Sequence, residues 1–216
     1  MIRNLIFDFG KVLVDYDFHP VLSQIFPDPN DEQDFLRLFA NQAFVDYCEI
    51  EEKPFIEIIR EQQELHPRFR EAFIQYYERF PEFVTGEVPG MKALLQQLKA
   101  QGYHLYGLTN WCSRVHVTLQ QYDIFNLLDG RIISSEEHLI KPDPAIYLRL
   151  CERFGLNPEE CLFTDDKAVN VEAAQRLGMK GIVFENAQQF EEELSGQLQQ
   201  GTKEQKMSMS FAKRNT

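Results

Sequence analysis

Asp8 closes an apolar run, Asn4-Leu5-Ile6-Phe7-Asp8, and three further apolar runs lead into polar residues of complementary type: Thr109-Asn110, Lys141 and the pair Asp165-Asp166. Between them they supply a carboxylate suited to nucleophilic attack, two small hydrogen-bonding side chains, one cation and an acidic pair. Taken singly, each has an ordinary structural use. A lone Asp after a strand caps a helix or makes a turn. Thr-Asn caps the helix that follows. A Lys before Pro142 belongs to a solvated loop, and an Asp-Asp pair to the surface. What sets them apart is where the chain puts them, because ligands of an open α/β sheet gather at the carboxyl ends of its strands.

Five segments must position these groups: residues 4–8, 103–110, 131–135, 161–166 and 181–185. Each is apolar throughout instead of alternating, the pattern of strands covered on both faces. Helical periodicity separates the later ones: Met91 to Ala100 with Leu94, Leu95 and Leu98 on one face and Gly102 as its cap, Ala145 to Phe154, and Val171 to Leu177 closed by Gly178. Alternating strand and helix predicts an α/β fold with a doubly wound parallel sheet. The span from Tyr16 to Val84 is different. It reads as helices, Asp31 to Asp46 and Pro54 to Leu65, followed by an aromatic face of Phe69, Phe73, Tyr76, Tyr77 and Phe80. The expected division is a core of residues 1–15 and 86–200, a helical insert of residues 16–85 joined by hinges near Tyr16 and Thr85-Gly86, and a polar tail of residues 201–216.

The 216 residues carry 34 acidic against 22 basic side chains, a net charge of -12, which argues against nucleic acid or an anionic membrane as main partner. A small anionic substrate held by a local positive site remains compatible. Cys48, Cys112, Cys151 and Cys161 form no C-x-x-C pair, so neither zinc nor a disulfide framework is expected. With no leader-like segment after Met1 and no long apolar span, the expected location is the cytoplasm, as a monomer or weak homodimer.

The four groups, in order, resemble the motifs of the haloacid dehalogenase-like hydrolase superfamily. Phe7-Asp8-Phe9-Gly10-Lys11-Val12-Leu13 is similar to its first motif, Leu108-Thr109-Asn110 to its second, Lys141-Pro142-Asp143-Pro144-Ala145-Ile146-Tyr147 to its third, and Phe163-Thr164-Asp165-Asp166, with Asn170 and Ala173-Ala174, to its fourth. The insert falls where that family keeps a small helical cap. The resemblance implies phosphoryl transfer: Asp8 attacks phosphorus to form a phospho-aspartate, and Mg²⁺ held by Asp8, Asp166 and the Gly10 carbonyl, with Asp165 in or just behind the ligand set, neutralises the two anions. Lys141 then balances charge, Thr109 and Asn110 bind phosphoryl oxygens, and Trp111 and His19 lie near the mouth of the cleft. A small phosphorylated metabolite is the implied substrate.

One position departs from the family's phosphatases, which carry a second Asp two residues after the nucleophile as general acid and base; here it is Gly10. Such catalysis is typically worth about 10²- to 10⁴-fold. Asp15, Tyr16, Asp17 or His19 could replace it, the substrate could need little protonation, or the protein could be an impaired enzyme that binds or regulates. The Asp-x-Gly subgroup that this chain resembles implies sugar phosphate hydrolysis. Metal-free haloacid dehalogenases also lack the second Asp, yet they have no use for Asp165-Asp166. From the insert, the segment Asp46 to Glu51 is expected to touch the cleft, with Glu49 and Glu51 reading more simply as solvated helix charges.

Overall fold

The computed structural model describes residues 1–39 and 41–198. The expected tail of residues 201–216 lies outside them. The chain opens with β1 (Asn4–Phe7) and a short β2 (Val14–Tyr16), then enters five helices: α1 (His19–Ile25), α2 (Pro29–Phe39), α3 (Gln42–Ile50), α4 (Phe55–Leu65) and α5 (Arg70–Glu78). It returns through β3 (Val84–Glu87) to α6 (Met91–Ala100), β4 (His104–Thr109), α7 (Val115–Gln121), β5 (Gly130–Ile133), α8 (Ser134–Glu137), α9 (Pro144–Phe154), β6 (Cys161–Asp165), α10 (Ala168–Arg176) and β7 (Lys180–Val183). A final helix, α11, covers residues 187–198.

Five strands pair in parallel in the order β5-β4-β1-β6-β7. β1 is central, so its side chains have no solvent face: Leu5 and Phe7 enter one core cluster with Met91, Leu95 and Phe190, while Ile6 enters the opposite cluster with Ile146, Tyr147 and Val171. The continuous apolar run follows from helices covering both sheet faces. Strand order reverses around β1, which puts the ends of β4, β1 and β6 side by side at the switch point of the sheet. Gly107 of β4 has a local role there. A Cβ on it would lie 2.4 Å from the ring of Phe9, so only glycine lets Phe9 pack flat and hold the residue just after Asp8.

The helices between β2 and β3 share a cluster of their own, built on Phe35, Phe55, Ile58, Ile59, Phe73 and Phe83. The helix expected across residues 31–46 is two helices. Asn41 starts the second by accepting a hydrogen bond from the Ala43 amide, a side-chain cap that competes with continuing the first. Both crossings into the helical segment are also strands, paired antiparallel with Asp15 opposite Gly86 and a register shift at Tyr16. No helix among the described residues is long and apolar enough to cross a membrane.

Candidate active site

Lys141 sits at the centre of the switch point with 4% of its surface exposed, its Nζ 2.9 Å from Asp8 Oδ1 and 2.6 Å from Asp165 Oδ2. A cation buried this far is stable only where opposite charges replace the lost water. Burial alone would pull the lysine down, but Asp8 and Asp165 hold it above its ordinary value and therefore charged. Its backbone is gripped by Asn110 at the end of β4, whose Oδ1 accepts from the Lys141 amide at 2.8 Å and whose Nδ2 donates to the Lys141 carbonyl at 3.0 Å. The side chain expected to bind phosphoryl oxygens is thus committed at both ends to positioning Lys141.

Asp165 is fully buried, and both its oxygens are already used. Oδ1 accepts from the Lys167 amide and from Asn170 Nδ2, and Oδ2 from Lys141 Nζ and again from Asn170 Nδ2. Burial would raise its carboxyl, yet these donors, Lys141 first, hold it below the usual range. Asp8 goes the other way. Burial pushes it up to about 6 against the opposing pull of Lys141, while the Phe9 amide donates to its Oδ1 at 2.7 Å. Asp166 is half-buried, raised by burial and by Asp165. Asp8, Asp165 and Asp166 each offer an oxygen within 4.8 Å of the others. An all-oxygen, anionic donor set of this size fits a hard divalent cation such as Mg²⁺; Asp8 and Asp166 line the cavity and would face it, whereas Asp165 does not line it.

These groups open into a cavity of about 300 Å³, at the small end of ligand pockets. Asp8, Gly10, Thr109, Asn110, Trp111, Lys141 and Asp166 all line it. Asp165 and His19 do not. His19 begins α1 with its ring exposed, Nδ1 2.7 Å from Glu32 Oε1. Of the groups considered for the missing acid, Asp15 is paired with Lys11 and Asp17 accepts from the His19 amide. Tyr16 does line the cavity, with burial and then Asp166 and Asp8 pushing its phenol up to about 12, so it holds its proton at neutral pH. Its ring covers Gly10: a Cβ at Gly10 would lie 3.1 Å from Tyr16 Cε1.

Two residues of α3 and its C-terminus separate sharply. Glu51 is buried and structural, accepting from the Ser113 amide at 2.6 Å, the Ser113 hydroxyl at 2.7 Å and the Phe55 amide at 3.0 Å. Glu49 lines the cavity, and burial, offset by Lys167 and Lys141, pushes its carboxyl up to about 7. Its carbonyl accepts from the Ser134 hydroxyl at 2.7 Å, which ties α3 to the sheet edge. Lys167 also lines the cavity. Its only sequence signal was adjacency to Asp165-Asp166.

Among characterised proteins, the chain is similar to a flavin mononucleotide hydrolase of Arabidopsis thaliana, 33% identical over 106 residues, which are 49% of this chain and 43% of that one. It is also similar to a sesquiterpene phosphatase of Aspergillus oryzae, 36% identical over 93 residues, 43% of this chain and 47% of that one. The matched stretches thus span just under half the length of these two relatives. A HAD-family enzyme of Bacteroides thetaiotaomicron, crystallised with magnesium and inorganic phosphate, superposes with a TM-score of 0.72 at 21% identity, covering 87% of this chain and 96% of that one. The sequence profile of the haloacid dehalogenase-like hydrolase family matches residues 2–178. With that match and with the sheet described above, the chain belongs to the haloacid dehalogenase-like hydrolases.

Proposed function

We propose that the chain is a Mg²⁺-dependent phosphatase of a small phosphate monoester, working through a phospho-aspartate on Asp8. The observation that carries this reading is Lys141 Nζ between Asp8 and Asp165, beside the cavity-lining carboxylate of Asp166. A fixed cation and a hard-metal site around one carboxylate suit an anionic electrophile, which two bare anions could not approach. When bound, a magnesium ion supplies positive charge to the phosphoryl oxygens. Both similar proteins described above act on phosphate esters by name. Dehalogenation by the same carboxylate would leave Asp166 without a task.

In the first step an Asp8 oxygen forms a bond to phosphorus as the ester oxygen departs, and that oxygen takes the proton of Glu49. In the second, Glu49 takes a proton from water as the water oxygen attacks phosphorus, the Asp8–phosphorus bond breaks, and phosphate and the Asp8 carboxylate are regenerated. Glu49 fits because its carboxyl, near 7, exchanges a proton at neutral pH, and because it reaches the cavity from the helical segment instead of from position 10. Lys141 keeps Asp8 in place throughout, and Thr109 lines the phosphoryl side. The test is phosphate release from a panel of monoesters with Mg²⁺ and with chelator, beside Asp8→Asn. Metal-dependent turnover that vanishes in the variant is expected. Equal turnover in Asp8→Asn would sink the mechanism, and halide release from haloacids in chelator would favour a dehalogenase.

A further inference from the structure

Away from the carboxylates and lysines, the cavity wall is mainly apolar. Phe18, Phe55, Phe80, Phe83 and Trp111 line it, and the phenylalanines touch one another: Phe18 and Phe83 at 5.0 Å between ring centroids, Phe55 and Phe80 at 5.9 Å, Phe80 and Phe83 at 5.9 Å. Rings locked against each other hold one arrangement, so the wall is formed before any ligand arrives. Of the cations that line the cavity, Lys167 follows β6 and Lys141 lies in the loop between α8 and α9, while the helical segment contributes one carboxyl, Glu49, and no cation.

This distribution selects among leaving groups. A leaving group with a second phosphate or carboxylate would carry that charge onto the phenylalanine wall, which has no cation to meet it, and away from both lysines. A sugar would press its hydroxyls against aromatic carbon, giving up water without finding equivalent partners. Hydrocarbon, by contrast, gains from leaving water against this wall. We infer that the substrate is the phosphate monoester of a small, uncharged and mainly apolar alcohol, its hydrocarbon part seated on the phenylalanine wall and its phosphoryl group at Asp8. The inference rests on the phosphatase reading and replaces sugar phosphates as the leading substrate class.

The experiment compares kcat/KM for benzyl phosphate with glucose 6-phosphate and phosphoglycolate, all of them esters of alkyl alcohols, so that a highly activated aryl leaving group does not decide the ranking. At least a tenfold advantage for benzyl phosphate is expected. Val45→Lys places a cation in the wall from α3, a helix with no fully buried residue, so the variant should fold. It is expected to lower the ratio of benzyl phosphate to phosphoglycolate turnover at least tenfold. Metal-dependent turnover that needs Asp8 but favours glucose 6-phosphate or phosphoglycolate would overturn the substrate class and leave the phosphatase standing. If no ester turns over, the phosphatase reading fails, and the thermal shift produced by each ester with Mg²⁺ decides the rest: stabilisation by benzyl phosphate above the other two upholds an apolar-ester site, and equal or smaller stabilisation overturns it.

Discussion

Asn110 and Lys141 are joined twice, side-chain amide to main chain, at 3.0 Å and 2.8 Å across 31 positions of sequence. That double bond of the second motif to the third sets where the Lys141 ammonium stands relative to Asp8. Asn110→Ala should therefore act through Lys141. Misplacing a charged group by about 1 Å can cost on the order of 10² in rate, so kcat should fall about 10- to 100-fold. Asn110→Asp, which keeps the acceptor for the Lys141 amide and loses the donor, should fall between wild type and Asn110→Ala. Equal kinetics in all three would show that the clamp does not matter.

Glu49→Gln separates chemistry from stability. With its folded value near 7 against an ordinary 4.5, the native Glu49 holds a proton that the unfolded chain releases. Stability from this group therefore declines as pH rises from about 4.5 to about 7 and stays lower above. Gln removes the effect, so the melting temperature of the variant should pass that of wild type by a few degrees at pH 8 and not at pH 4.5. Turnover of alkyl esters should drop about 10²- to 10⁴-fold, while p-nitrophenyl phosphate, whose leaving group needs little protonation, should be much less affected. A uniform loss across leaving groups would remove Glu49 from proton transfer.

His19→Ala should leave the kinetics alone. The hydrogen bond to Glu32, and then its charge, hold the imidazole above its ordinary 6.5. A base raised on folding stabilises fully below its unfolded value, and the benefit fades as pH climbs through the folded one. A small loss of melting temperature is expected at pH 6 and none at pH 9. Altered KM in this variant would return His19 to the substrate site.

Gly10→Asp, which would restore the family's usual acid, meets the Tyr16 ring before it meets substrate. Overpacking of this kind typically costs about 1–3 kcal/mol. Gly10→Asp alone should be destabilised by that order, and Tyr16→Ala in the same chain should recover most of it, a coupling readable in a double-mutant cycle by urea denaturation. Additive losses would mean that the two positions do not compete for space.

The sheet was legible because strands covered on both faces must be apolar without interruption, as Leu5, Ile6 and Phe7 are. β2 and β3 were not, being three and four residues long and pairing Asp15 with Gly86 across most of the helical segment. The resemblance brought Asp8, Lys141 and Asp165-Asp166 together in order; in the structure Lys141 pairs with Asp8 and Asp165, and Asp166 offers an oxygen within 4.8 Å of both carboxylates. The distribution of labour among them needed coordinates: Asp165 accepting four hydrogen bonds from three donors, and Asn110 spent on a backbone. Glu49 and Glu51 lie two positions apart and look alike as helix charges. Their surroundings distinguish them: Glu49 lines the cavity, and Glu51 binds Ser113.

The antiparallel pairing of Val14 with Glu87 and of Asp15 with Gly86 means that the chain departs from the sheet and rejoins it through the same narrow doorway. Everything between can be longer, shorter or differently folded without altering the register of β1 against β4 and β6. The wall that contacts the leaving group is therefore an interchangeable part. A graft of a foreign segment between Tyr16 and Val84 should inherit the nucleophile, the lysine and the acidic pair intact, but not Glu49, so it must bring its own proton donor together with its own choice of alcohol.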